Sequence, residues 1–255
     1  MTDHTTTWPN GVPCWADLTV SDLERSKTFY ADVFGWDYTG GEPEFGGYTN
    51  ANVGGRTVAA LAPPMPGWDD QSAWVIYLAA DDIAATHEAV KAAGGQPIME
   101  PMQVGPFGTM GLWLDPTGAL FGAWQSDEHK GFAVIDEPGS VAWCDLMSAD
   151  AAASQDFFAK AFGFSYQPMG EGYDLFTVPD RPEEPAGGMV QAAEGMTPGW
   201  NVCFLVEQIE AALERIEKAG GKVHGAPVDF EFGRFAPAAG PDGELFVVYT
   251  SKADG

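Results

Sequence analysis

Basic residues are scarce in this chain. Its 255 residues hold 12 Lys and Arg against 37 Asp and Glu, a formal charge of −25. Such a field repels phosphates, so nucleic acid and anionic membrane surfaces are excluded as partners. Cysteine is also rare. Cys14, Cys144 and Cys203 are odd in number and widely scattered, which reads as buried reduced thiols rather than a disulfide framework or a paired metal site. No apolar run approaches the roughly 18 residues of a membrane span. The opening residues, Met1 to Thr7, carry neither the basic nor the apolar region of a secretory signal. The missing span and signal predict a cytoplasmic protein; it is further expected to be a monomer or homodimer with a small molecule as its partner.

What the chain does have is an internal repeat. Trp15-Ala-Asp-Leu18, Phe29-Tyr30 and Phe34-Gly35-Trp36 return as Trp143-Cys-Asp-Leu146, Phe157-Phe158 and Phe162-Gly163-Phe164, all at a shift of 128 residues. Ala93-Gly94-Gly95 returns as Ala219-Gly220-Gly221 at a shift of 126. Phe107-Gly108 and Pro116-Thr117-Gly118 return as Phe232-Gly233 and Pro241-Asp242-Gly243 at a shift of 125. A period this long marks a duplicated domain, because solenoid units run to roughly 20–50 residues. The expected division is a first domain over 10–126, a linker over 127–139 and a second domain over 140–252, each with its own core.

Within each half a strand precedes a helix and further strands follow. Residues 13–20 alternate as a strand, and Ser21-Asp-Leu-Glu24 reads as a capping box that opens a helix ending at Gly35. Pro63-Pro64-Met65-Pro66-Gly67 breaks the chain before a second strand, Trp74 to Ala80. Asp82 opens the next helix, which Gly94-Gly95 closes, and strands follow from Gly108 to Gln125. The second half repeats this order, with its clearest helix over Ile209–Ala219. Helices segregated to one face of mixed sheets make an α+β fold. The free face of each sheet then forms a cup of the kind that holds small molecules.

The Val20-Ser-Asp22 helix entry, Phe29-Tyr30, Phe34-Gly35, Asp81-Asp82-Ile83, Gly94-Gly95 and Asp115-Pro-Thr-Gly118 resemble the vicinal oxygen chelate superfamily. Glyoxalase I, bleomycin- and fosfomycin-resistance proteins and extradiol dioxygenases belong to it. The resemblance runs over nearly the whole chain, twice, and implies four βαβββ modules forming two cup-shaped mixed sheets with helices on the outside. The Trp-x-Asp-Leu start and tandem layout look most like the glyoxalase-related subgroup that includes a mycobacterial culture-filtrate antigen.

Metal-using members hold one divalent ion per cup with His and Glu side chains. The resemblance puts those ligand positions at Trp15, Val75 and Gly122 in the first half and at Trp143, Asn201 and Val247 in the second. Indole and aliphatic groups offer a metal no lone pair, and an Asn amide is weak for transition metals. A one-residue slip brings in no histidine. His4, His87, His129 and His224 lie elsewhere and read as structural or solvated.

Strand alternation puts Asp17 on the face of Trp15, and Asp145 on that of Trp143. Each cup is therefore expected to be aromatic with one acid: Trp15, Asp17 and Trp124 in the first, Trp143, Asp145, Asn201 and Tyr249 in the second. Arg234 is a lesser candidate, as an anion contact or as the partner of one of the many acids. The reading that fits best is capture of a largely apolar or aromatic molecule without a cofactor. The alternative is an enzyme of the glyoxalase or dioxygenase type, with one divalent metal per domain or with Asp17 or Asp145 as a metal-free base. Protein made in medium supplemented with zinc, nickel, iron and manganese should carry no stoichiometric metal in either cup by elemental analysis. One ion per domain bound by cup side chains would reverse the ranking.

Overall fold

The computed structural model describes residues 3–64, 72–170 and 172–252, so the expected break at Pro63–Gly67 lies outside them from Met65 onward. The first half runs β1 (Pro13–Thr19), α1 (Leu23–Phe34), β2 (Asp37–Gly40), β3 (Thr49–Val53), β4 (Arg56–Ala62), β5 (Ala73–Ala79), α2 (Ile83–Ala92), β6 (Gln96–Val104), β7 (Gly108–Leu114) and β8 (Leu120–Ser126). The second runs β9 (Val141–Ser148), α3 (Ala151–Phe162), β10 (Ser165–Gly170), β11 (Tyr173–Thr177), β12 (Gly187–Gln191), β13 (Gly199–Leu205), α4 (Ile209–Lys218), β14 (Lys222–Val223), β15 (Val228–Phe230), β16 (Gly233–Ala239) and β17 (Leu245–Ser251). No described helix is long and apolar enough to cross a membrane.

Each half forms one mixed sheet, ordered β2-β3-β4-β1-β5-β8-β7-β6 in the first and β10-β11-β12-β9-β13-β17-β16-β14 in the second, where β15 also pairs with β16. Neighbouring modules join through antiparallel β1–β5 and β9–β13. That settles which modules make each sheet. β6 was not legible as a strand because Pro97 and Pro101 interrupt it. Proline cannot donate to a ladder, and β6 accordingly lies at the sheet edge with two irregularities in its register. Its counterpart in the second half is split into β14 and β15.

Helix starts follow local side-chain chemistry. Asp22, not Ser21, caps α1, with Oδ1 accepting from the Arg25 amide at 3.0 Å. Asp82 and Asp150 cap α2 and α3 in the same way. Gly35 and Gly163 end α1 and α3 at φ 74°, the left-handed conformation that glycine adopts without steric cost.

The helices lie outside the cups but inside the molecule, because each half packs its first helix against the other half's sheet. Phe34 of α1 meets Phe204 of β13 at 4.8 Å and Phe246 of β17 at 5.8 Å. Reciprocally, Phe121 of β8 meets Phe157, Phe158 and Phe162 of α3 at 5.8, 5.3 and 6.0 Å. The repeated double glycines make room for this exchange: a Cβ on Gly95 would lie 2.9 Å from the Phe157 ring, and one on Gly221 2.7 Å from that of Phe29.

Polar contacts follow the same exchange. Ser154 of α3 donates to the Asp115 carboxylate at 2.5 Å, and Tyr30 of α1 donates to Glu244 at 2.9 Å. The expectation of a separate core in each half is therefore corrected, since one cluster of buried side chains spans both. Phe121→Ala should cost roughly 3–5 kcal/mol as an aromatic deletion in a packed core. In urea titrations followed by circular dichroism and tryptophan fluorescence, both halves should lose stability in a single shared transition. Separate transitions, with the second half unaffected, would contradict the shared core.

Candidate functional site

On β1, Ala16 and Leu18 point into the shared core, so alternation turns Trp15 and Asp17 to the opposite, cup face. The ladder gives each a partner on that face: Trp15 lies opposite Tyr77, and Asp17 between Val75 and Ala60. In the second half Trp143 lies opposite Cys203, and Asp145 between Asn201 and Gly188.

Each acid sits beside an indole–phenol hydrogen bond. Trp15 Nε1 donates to the Tyr48 hydroxyl at 2.8 Å, and Tyr48 donates to Asp17 Oδ2 at 3.1 Å. A second phenol, Tyr77, donates to Asp17 Oδ1 at 3.4 Å. In the other half Trp143 Nε1 donates to Tyr173 at 2.8 Å, and Asn201 Nδ2 donates to Asp145 Oδ1 at 2.9 Å. Tyr48 and Tyr173 were missed from the sequence, although Gly47-Tyr48 and Gly172-Tyr173 repeat at a shift of 125.

Burial dominates the acidity of both carboxyls. It pushes Asp17 up from 3.8 to about 7, against the stabilising hydrogen bonds of Tyr48 and Tyr77. Asp145 rises to about 6 for the same reason, opposed by Asn201 and Tyr173. Desolvation also raises the thiol of Cys203, which is half-buried rather than buried like Cys14 and Cys144.

Of the remaining candidates, Trp124 packs on the His129 ring that meets Trp15, Tyr249 faces the second cup, and Arg234 points away. Trp124 is buried, and its Nε1 donates to the His129 carbonyl at 2.8 Å. Tyr249 is half-buried and donates to the Phe232 carbonyl at 2.9 Å. Arg234 lies opposite Thr250, one residue out of phase with the cup-facing pair Phe235 and Tyr249. Its guanidinium is held by Glu210 of α4 and by Asp229, at 2.5 and 3.0 Å, so it does not join the acids. Two surface clefts, of about 150 and 500 Å³, lie elsewhere, and neither is lined by Asp17 or Asp145.

Comparison with known proteins gives this arrangement a family. The model of the Glyoxalase/Bleomycin resistance protein/Dioxygenase superfamily matches residues 3–122 and again 140–248. The chain belongs to this glyoxalase superfamily. It is 33% identical to CFP32 of Mycobacterium tuberculosis, a glyoxylase by name, over 93% of this chain and 94% of that one. It is 35% identical to the anthracycline biosynthesis protein DnrV of Streptomyces peucetius, over 93% and 92%. In fold it resembles the Mn(II)-bound glyoxalase of Novosphingobium aromaticivorans, with a TM-score of 0.68, 20% identity, and coverage of 94% of this chain and 83% of that one. The 2,3-dioxygenase LapB of Pseudomonas gives a TM-score of 0.63 at 17% identity, over 96% and 94%.

The glyoxalase-superfamily metal set does not fit the residues present. Among the described residues, no three His, Cys, Asp or Glu side chains gather where they would hold an ion. At Gly122, where the resemblance implies a glutamate, a Cβ would lie 2.2 Å from the Tyr77 ring. The phenol that binds Asp17 thus occupies the space a ligand side chain needs. In the second half Gly188, which is not a ligand position, leaves room for Tyr173, whose hydroxyl would lie 1.8 Å from a Cβ there.

The raised pKa of Asp17 sets a direction for pH dependence. Between 3.8 and about 7 the folded chain retains a proton that the unfolded chain has released, so this group's contribution to stability falls as pH rises through that window. Asp17→Asn should flatten the decline. Urea midpoints at pH 5 and pH 8 check this; an equal decline in both proteins would show that Asp17 does not titrate there.

Proposed function

We propose that the protein binds a small, largely apolar or aromatic molecule on a cup face, using indole as the stacking surface and the neighbouring carboxyl as hydrogen-bond acceptor. The repeated indole–phenol hydrogen bond beside a carboxyl, closed onto Asp17 in the first half, carries this reading. A desolvated carboxyl tied to an indole through a phenol is pre-oriented, so little order is lost when a ligand donor joins it. Aromatic rings prefer offset or edge-to-face packing on indole, which gives a planar ligand a defined pose. The charge of −25 favours a neutral or cationic ligand over an anion.

The Streptomyces relatives named for anthracycline biosynthesis support a polycyclic aromatic as the ligand class. In this reading residues 10–126 and 140–252 are the two cup-forming domains, joined by 127–139. A proton-transfer enzyme is the second reading, favoured by carboxyls that titrate near neutrality.

Titration with a panel of neutral and cationic polycyclic aromatics, followed by tryptophan quenching, tests the proposal. Asp17→Asn with Asp145→Asn should weaken binding about tenfold, the worth of one hydrogen bond to a charged group, while circular dichroism is unchanged. Full binding with lowered thermal stability would make the acids structural. Binding retained alongside lost turnover of a bound compound would establish the enzyme reading.

A further inference from the structure

The two cups share an indole–phenol hydrogen bond but not a cover. Along β13, Trp200, Val202 and Phe204 are buried while Gly199, Asn201, Cys203 and Leu205 keep solvent contact. Along the equivalent β5, every residue from Trp74 to Ala79 is buried. Alternating burial marks a strand packed on one face, and continuous burial one packed on both. The first sheet therefore has something on its cup face, and the second is open there among the described residues.

The cover of the first cup is the chain itself. The His129 ring stands edge-on to the Trp15 indole at 4.3 Å, and the Phe132 ring lies 5.6 Å from it. Phe132 is 1% exposed and Trp15 3%. Backbone bonds hold this segment in place: His129 N donates to Phe107 O at 3.1 Å, Phe132 N to Cys14 O at 2.8 Å and Ala133 N to Thr57 O at 2.9 Å. At the rim, Phe45 reaches across to Phe107 at 5.6 Å.

The second half repeats the hydrogen bond without the cover. Trp143 is half-buried, and among the described residues no aromatic ring packs on it. Phe232, the counterpart of Phe107, is 54% exposed. In this half Phe235 and Tyr249 face the cup, and Phe230 lies 5.6 and 5.9 Å from their rings.

We infer that an external aromatic molecule takes, against Trp143, the place that His129 and Phe132 take against Trp15, so that each chain binds one ligand and binds it in the second cup. The duplication supplies the argument: one copy of the site displays what packs on its indole, and the described residues of the other leave its indole half-buried. The occupant is a planar, neutral or cationic ring system with a donor for Asp145, edged by Tyr249 and Phe235. An anion would meet Asp145 and the acidic surface. The inference rests on the small-molecule reading above.

Nile blue, a cationic planar aromatic dye with an amino donor and an emission sensitive to leaving water, serves as the probe with the full chain. Saturation should occur at one dye per chain. Trp143→Leu should weaken binding at least tenfold, and Tyr249→Leu gives a second test on another strand if the first variant misfolds. His129→Ala with Phe132→Ala should raise the stoichiometry to two. Two dyes on the unaltered protein would overturn the single-site inference while leaving small-molecule binding intact. One dye whose affinity survives both second-cup substitutions would also overturn it, and no dye bound would sink inference and reading together.

Discussion

The exchange of aromatic side chains between the halves is the constraint on which the rest depends. Phe121 is enclosed by three phenylalanines of α3, and Phe204 and Phe246 by the aromatic face of α1. Because α1 and α3 are each buried against the opposite sheet, the helix-bearing faces of both sheets meet in one core and the cup faces lie on the other side of each sheet. Reciprocal polar contacts, Ser154 to Asp115 and Tyr30 to Glu244, pair with this packing. Buried carboxylates need such donors, so they also fix the register in which the halves meet.

Holding the cup faces off the shared core leaves one problem for the chain, which is what to do with an indole and a carboxyl on each. In the first half residues 129–132 bury Trp15 beside a half-buried Asp17. In the second half Trp143 and Asp145 are both half-buried, and Asp145 accepts from Asn201 and neighbours the half-buried Cys203. Desolvation raises both carboxyls, Asp17 to about 7 against the hydrogen bonds of Tyr48 and Tyr77, and Asp145 to about 6 against those of Asn201 and Tyr173.

Superfamily membership does not decide the chemistry, because function resides in sites grafted on a fold. Here the residues at the implied ligand positions do not fit the superfamily's metal set. Gly122 stands at the implied ligand position, and Tyr77 fills the space it leaves to bind Asp17. Restoring a glutamate at that position alone would displace the phenol before it offered a metal anything.

The sequence by itself determined the duplication, the helix stops at Gly35 and Gly163, and the sharing of one face by Trp15 with Asp17 and by Trp143 with Asp145. These follow from local rules: a shift that recurs, a left-handed glycine, a side-chain period of two. The cap at Asp22 in place of Ser21, and the strand at Gln96–Val104, lay at the limit of those rules, where a cap position and a proline-bearing edge depend on neighbours. Tertiary structure alone decided the partners of the acids. Tyr48 and Tyr77 reach Asp17 from 31 and 60 residues away, and nothing in either local stretch specifies that meeting. It also decided that His129 and Phe132 cover the first cup, because burial of an aromatic residue is a property of the surface it meets, and that surface exists only once the sheet is folded.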